Sequence, residues 1–238
     1  MVESKGKVII ALDTNREEQA LALVEELLPA TPYFKVGLEL YNHAGPFLVQ
    51  KIIDLGGQVF LDLKFHDIPN TVVGASRAAV GSGAFMFNVH AQGGREMLTR
   101  AAAAAGEEAA RLGVQRPVLL GVTVLTSLSQ EALEELGVVL PLEEQVIKLA
   151  QLCWQCGLQG VVASPRETTR LRREMPEDFL IVTPGVRPAG TSLQDQKRVM
   201  TPLDALRAGA DYLVIGRPVT AAKSPLKALT GIMQSLRA

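Results

Sequence analysis

The sequence predicts an α/β protein, a single-domain (β/α)8 (TIM) barrel spanning residues 1–238. Three observations predict it. Short β-branched runs alternate with longer helical patterns from end to end. The alternation repeats eight times, and eight strand–helix units favour closure of a parallel sheet. No linker, tandem copy or low-complexity segment divides the 238 residues, a length such barrels commonly reach as one domain. An open, doubly wound sheet is the alternative. It asks for a glycine-rich fingerprint after an early strand, and Ala11-Leu12-Asp13-Thr14-Asn15 is not one.

The first strand is predicted at residues 8–13, and an amphipathic helix at 16–28 ends before Pro29. A strand at 33–36 and a helix at 47–55 follow, the helix stopped by Gly56-Gly57. The third unit pairs a strand at 58–64 with a helix at 70–81 that follows Pro69. The fourth pairs 85–90 with an alanine-rich helix at 96–112, where Ala101 to Ala105 are strong helix formers. The fifth strand, 117–123, leads to helices at 129–136 and 142–156. The sixth, 160–163, leads to a helix at 165–173, and the seventh, 180–183, runs through a long loop to a helix at 202–208. The eighth, 212–215, precedes a short helix at Pro218 and a last helix at 225–236.

Composition narrows the function classes. Hydrophobic residues make up 47% of the chain, enough for one large core. There are 24 basic and 25 acidic residues, a net charge of −1, with no Lys/Arg run, which argues against nucleic acid or an anionic membrane as partner. No apolar run reaches the roughly 20 residues of a membrane span. The N-terminal residues lead straight into a strand without a signal-peptide core, so a cytoplasmic protein is expected. The two cysteines, Cys153 and Cys156, form a C-x-x-C pair inside a helical run. A redox pair would sit at a helix N-terminus and a structural zinc site would need four ligands, so these are expected to be inert. No metal is expected.

The most informative stretch is Val59-Phe60-Leu61-Asp62-Leu63-Lys64-Phe65-His66-Asp67. Side chains alternate along a strand, so Asp62 and Lys64 project to one face with Phe60 behind them. Burying a carboxylate and an ammonium is unfavourable unless something compensates. A structural ion pair and a catalytic site both fit the pair alone, and Asp67 nearby favours chemistry. In a barrel of this kind the active site lies at the C-terminal strand ends. Reading only those ends gathers Asp13, Lys35, Asp62 and Lys64 on three adjacent strands. Lysines held between carboxylates stay protonated, and such an ammonium can stabilise a developing negative charge and then donate a proton.

A second cluster holds Arg187 after the seventh strand and Gly216-Arg217 after the eighth, before a short helix. That is where such barrels often bind phosphate, although a turn with a solvated arginine is the plainer reading of Gly216-Arg217 taken alone. The loop at 184–198 is long and polar, a candidate lid carrying Gln196, or else a surface excursion. His43, His66 and His90 are read as structural.

The run Asp62-Leu63-Lys64-Phe65-His66-Asp67-Ile68-Pro69-Asn70-Thr71 resembles the signature of the orotidine 5'-phosphate decarboxylase family, which performs the last step of de novo UMP synthesis. The resemblance covers essentially the whole chain. It includes Phe34-Lys35-Val36-Gly37, Asn88-Val89-His90-Ala91, Thr183-Pro184-Gly185-Val186-Arg187-Pro188, Asp195-Gln196 and Ile215-Gly216-Arg217-Pro218. The Asp-x-Lys-x-x-Asp core is shared with related phosphosugar decarboxylases and synthases on the same barrel. The continuation through Thr71 and the Arg187/Gln196 loop are more specific.

The resemblance implies roles. Lys64 would protonate C6 of the pyrimidine, and Asp62 would lie by the departing carboxylate, with Lys35 and Asp67 completing the charged network. Asp13 and Lys35 would bind the ribose hydroxyls, and Thr126 would contact the pyrimidine region. Arg187, Gln196, Gly216 and Arg217 would hold the phosphate. Sites would be shared across a homodimer, with Asp67 and Thr71 reaching into the neighbour's site. The chain carries no visible motif for an electron-sink cofactor, so no cofactor is expected and stabilisation would come from fixed charges. Two rivals stand beside this reading. One is a metal-dependent phosphosugar decarboxylase or synthase, for which Glu39 is the nearby extra carboxylate. The other is a non-catalytic phosphate-binding barrel.

Overall fold

The computed structural model describes residues 7–187 and 200–236. Its eight strands are β1 (Lys7–Ala11), β2 (Tyr33–Gly37), β3 (Gln58–Phe65), β4 (Met86–His90), β5 (Val118–Val122), β6 (Gly160–Val162), β7 (Leu180–Pro184) and β8 (Tyr212–Ile215). They close in sequence order into one barrel, each parallel to its neighbours, with β1 pairing β8. The expected closed barrel is therefore the fold, and the open sheet is excluded.

The helices are α1 (Glu17–Leu27), α2 (Leu38–Ala44), α3 (Phe47–Asp54), α4 (Pro69–Gly81), α5 (Gly94–Leu112), α6 (Gln130–Glu135), α7 (Leu142–Gln155), α8 (Thr168–Glu174), α9 (Pro202–Arg207), α10 (Arg217–Thr220) and α11 (Pro225–Ser235). Proline opens α4, α9 and α11, where its missing N–H breaks no helical bond. Ser129 and Thr201 cap α6 and α9 by accepting from the backbone N–H of Ala132 and Asp204. Two sequence expectations need correction. The stretch after β2 is helical as α2, and strand pairing in β1 stops at Ala11, leaving Asp13 on the loop beyond it.

Strand alternation makes two cores. Outward residues such as Ile10, Phe34, Leu61, Phe87 and Leu213 pack under the helices. Inward residues Ile9, Ala11, Phe60, Met86, Leu120, Val182, Tyr212 and Val214 fill the barrel lumen. At the N-terminal end Tyr33, Phe85 and Tyr212 close the lumen, with ring centroids 5.3 to 6.4 Å apart. The inward rows change character toward the other end. Phe60 is followed by Asp62, Met86 by Asn88, and Tyr33 by Lys35. An apolar floor thus carries a polar layer, the arrangement that positions a site at the C-terminal strand ends.

The cysteines lie on α7 and at its C-cap, both buried and both free. Burial, with Cys156 adding to it, pushes the Cys153 thiol up to about 12. The thiolate is the reactive form, so Cys153 is expected to be silent toward iodoacetamide at pH 8 in the folded protein, and burial shields Cys156 from the reagent. Mass spectrometry should find both thiols alkylated only after unfolding; rapid labelling of native protein would contradict the packing.

Candidate active site

Lys35 and Asp62 sit at the lumen ends of β2 and β3, each about nine-tenths buried. Lys35 Nζ lies 3.0 Å from Asp13 Oδ1 and 3.3 Å from Asp62 Oδ2. Lys64 Nζ donates to Asp62 Oδ1 at 2.7 Å. The charges therefore alternate in a chain, Asp13–Lys35–Asp62–Lys64. The expectation that each lysine is held between two carboxylates holds for Lys35. Among the described residues Lys64 pairs with Asp62 alone.

Burial disfavours the charge on Asp62, but the charges of Lys35 and Lys64 and hydrogen bonds from Lys64 and Asn88 outweigh it and hold the carboxyl below its usual range. Burial likewise works against the Lys35 ammonium, and Asp62 and Asp13 outweigh it, so its pKa is raised. Both groups are ionised at neutral pH.

Lys64 is the one non-glycine residue with positive φ among the described residues, at 51°. It sits in a bulge. β3 and β4 pair Leu61 with Phe87 and Phe65 with Val89, so four steps on β3 face two on β4. A left-handed backbone at a residue with a Cβ costs of order 1–3 kcal/mol and persists only where its surroundings enforce it. Here its N–H donates to the Asn88 side-chain oxygen at 2.7 Å.

Two glycines keep the site open. A Cβ at Gly37 would stand 3.0 Å from Lys35 Nζ, and one at Gly216 would stand 3.3 Å from Asp13 Oδ2. Either would press on the charge chain.

The cavity above this chain is about 250 Å³. Asp13, Lys35, Asp62, Lys64, Thr126, Arg187, Gly216 and Arg217 all line it. Arg187 is buried and its guanidinium donates to the Val186 carbonyl, while Arg217 is exposed at the start of α10. Gln196 lies outside the described residues, as does most of the loop read as a lid. Asp67 and Thr71 do not line the cavity of their own chain. Asp67 is exposed, and its carboxylate accepts from the Ile68 N–H. Glu39 is exposed on α2, away from the cavity, and among the described residues no group of three His, Cys, Asp or Glu side chains is placed to hold a metal ion. A larger cavity of about 670 Å³ opens at the opposite end around Tyr33, Phe85 and Tyr212. Its Arg116 is committed to the carbonyls of Ala102 and Gly157, and no carboxylate lines it.

Sequence reading missed Asn88 and Gly37 as parts of the site. Asn88 could have been found by its inward register beside Asp62, since a fully buried amide at a lumen strand end requires partners.

A closed barrel with a lysine–carboxylate chain and two arginines lining one cavity at its C-terminal strand ends has the architecture of a barrel enzyme. The family model described as Orotidine 5'-phosphate decarboxylase / HUMPS family matches residues 6–232. The chain is 54% identical over 232 residues to the orotidine 5'-phosphate decarboxylase of Moorella thermoacetica, covering 97% of this chain and 92% of that protein. It is 50% identical to that of Syntrophomonas wolfei, covering 99% of each. The crystal structure of orotidine 5'-phosphate decarboxylase from Lactobacillus acidophilus superposes with a TM-score of 0.86 at 38% identity, covering 98% of this chain and 99% of that one. The chain belongs to the orotidine 5'-phosphate decarboxylase / HUMPS family.

Proposed function

We infer that this protein decarboxylates orotidine 5'-monophosphate to UMP and CO2, the closing step of de novo pyrimidine synthesis, as a carboxy-lyase. The observation that carries the reading is the alternating chain Asp13–Lys35–Asp62–Lys64 lining one cavity together with Arg187 and Arg217.

Loss of CO2 from the pyrimidine leaves an electron pair at C6 in the ring plane, where the π system cannot delocalise it well. Fixed charge must then stabilise it. Lys64 Nζ would face C6, stabilise the carbanion and deliver the proton that replaces CO2. Asp62 would lie against the substrate carboxylate. Two unit charges about 4 Å apart at an effective dielectric near 20 interact by roughly 4 kcal/mol, a repulsion relieved as CO2 departs. Asp13 and Lys35 would take the ribose hydroxyls, and Thr126 the pyrimidine region. Arg187, Gln196, Gly216 and Arg217 would grip the phosphate, whose binding energy is then realised in the transition state. We place the protein in the cytoplasm; no helix among the described residues is long and apolar enough to cross a membrane.

The direct test is the ultraviolet absorbance of orotidine 5'-phosphate mixed with the protein in excess EDTA. Loss of the substrate band in proportion to enzyme supports the reading. Activity that appears only with added Mg2+ would move the protein to a metal-dependent phosphosugar-type chemistry. No change under either condition would leave a phosphate-binding barrel.

Arg217→Ala should remove a charge-assisted phosphate contact and lower kcat/KM by about 10- to 100-fold, with the melting temperature held because the side chain is exposed. Unchanged kcat and KM would refute the phosphate role.

We further propose a homodimer with shared sites. Asp67 is exposed beside Ile68, itself 68% exposed, on the edge that carries Thr71. Asp67→Ala and Lys64→Ala should each be inactive alone. After denaturation and refolding as a mixture, activity should return, because one site of each heterodimer would take Lys64 from one chain and Asp67 from the other. A mixture as inactive as its components would refute sharing.

A further inference from the structure

Asn88 ends an inward row of β4 directly above Met86, and its side chain is fully buried. Its amide joins two things that chemistry on this floor requires. Nδ2 lies 2.7 Å from Asp62 Oδ1, and Oδ1 lies 2.7 Å from the backbone nitrogen of Lys64.

The direction of this bridge is dictated by its ends. A backbone N–H can only donate, so the amide oxygen must face Lys64. The NH2 end must then face Asp62, and the oxygen it meets must accept. Lys64 Nζ donates to that same Asp62 oxygen, and Lys35 stands against the other. Every donor around Asp62 therefore points inward, an arrangement that only a carboxylate satisfies. The other end of the bridge replaces what the bulge removed. With two extra steps on β3, the Lys64 N–H has lost its register with the β4 backbone, and the Asn88 side chain supplies the acceptor instead.

We propose that Asn88 is a positioning residue for this site, a polar bridge from β4 that fixes the Asp62 carboxylate as an acceptor and holds the Lys64 backbone in its left-handed bulge. It does not line the cavity. Its influence on turnover rests on the decarboxylase reading, but its influence on Asp62 does not. The groups that face Asp62 are Lys35 from β2, Lys64 from β3 and Asn88 from β4, with Asp13 acting through Lys35 and His90 contributing from the end of β4. The hydrogen bond from Asn88 is one of the causes that keep Asp62 ionised to low pH.

Two measurements test the bridge. The first needs no substrate. The Asp62 side-chain carboxyl, followed by 13C NMR in wild type, Asn88→Ala and Asn88→Asp, should titrate at higher pH in both variants. The shift should be larger in Asn88→Asp, where a second carboxyl faces Asp62 and like charges share a proton. An Asp62 titration unchanged in both would overturn the proposal, whatever the reaction proves to be. The second is steady-state decarboxylation. Asn88→Ala should lose about 10- to 100-fold in kcat, the rate equivalent of one hydrogen bond to a charged group, with KM within about threefold because Asn88 does not line the cavity. Asn88→Asp should also shift the acid limb of kcat/KM upward. Asn88→Ser, which keeps one donor, should fall between wild type and Asn88→Ala. A KM effect with kcat intact, or a pH profile unmoved in Asn88→Asp, would overturn it. If Asn88→Ala failed to fold, Asn88→Ser read against wild type gives the same decision.

Discussion

Lys64→Ala is expected to abolish turnover, by at least about 10⁴-fold in kcat, while leaving a folded barrel. On the proposed reading the Lys64 ammonium acts both as counter-charge and as proton donor at the same point. Lys35 cannot replace it, since two carboxylates hold it deeper in the lumen. The structural consequence should be small. The Lys64 side chain is partly exposed, and one ion pair to Asp62 is lost while Lys35 and Asn88 still hold that carboxylate. Alanine keeps a Cβ at a φ of 51°, so the backbone strain is neither relieved nor increased. Circular dichroism and a melting curve close to wild type, with substrate absorbance unchanged over hours, is the expected result. Turnover within tenfold of wild type would remove Lys64 from the mechanism.

Much of this was legible in the sequence, for physical reasons. Period-two alternation in 58–62 aims Phe60 and Asp62 at one face, and barrel closure turns that face into the lumen; Lys64 meets Asp62 through the bulge rather than through regular alternation. Alternation places Lys35 in the same lumen, and the rule that barrel sites lie at the C-terminal strand ends brings Asp13, Arg187, Gly216 and Arg217 to one cavity with it. Helix α2 escaped because Leu38–Ala44 is short and follows a glycine, so seven residues gave too little periodicity to separate from a loop. The bulge escaped because strand pairing is a property of two chains of backbone, and nothing in Leu63-Lys64-Phe65 announces a left-handed residue. Asn88 escaped with it, since its importance comes from what the bulge leaves unpaired. Asp67 and Thr71 were legible as a motif only, because one chain alone gives them nothing to act on.

Asp62→Ala carries the second large effect, and it should appear in stability as well as rate. Asp62 neutralises two ammonium groups at once, at 3.3 and 2.7 Å. Without it Lys35 retains Asp13, while Lys64 loses its ion-pair partner. Removing one partner from a buried pair costs about 3–5 kcal/mol, and losing roughly 4 kcal/mol of directed electrostatics near the reacting carboxylate corresponds to about 10³-fold in kcat. The pH dependence separates charge from packing. The folded pKa of Asp62 is lowered, so its contribution is fully present above the ordinary carboxylate pKa near 4 and is lost as pH falls toward the depressed folded value. The folded pKa of Lys35 is raised, so its contribution is present below about 10.5 and is lost as pH rises through the folded value. Urea unfolding should therefore show a wild-type advantage over Asp62→Ala that is broad across neutral pH and narrows toward strong acid. The variant should also weaken at lower alkaline pH than wild type, because Lys35 has lost the stronger of its two counter-charges. An advantage that stayed constant from acid to alkali would mean that Asp62 acts by filling space, and the charge chain would lose its place in both stability and mechanism.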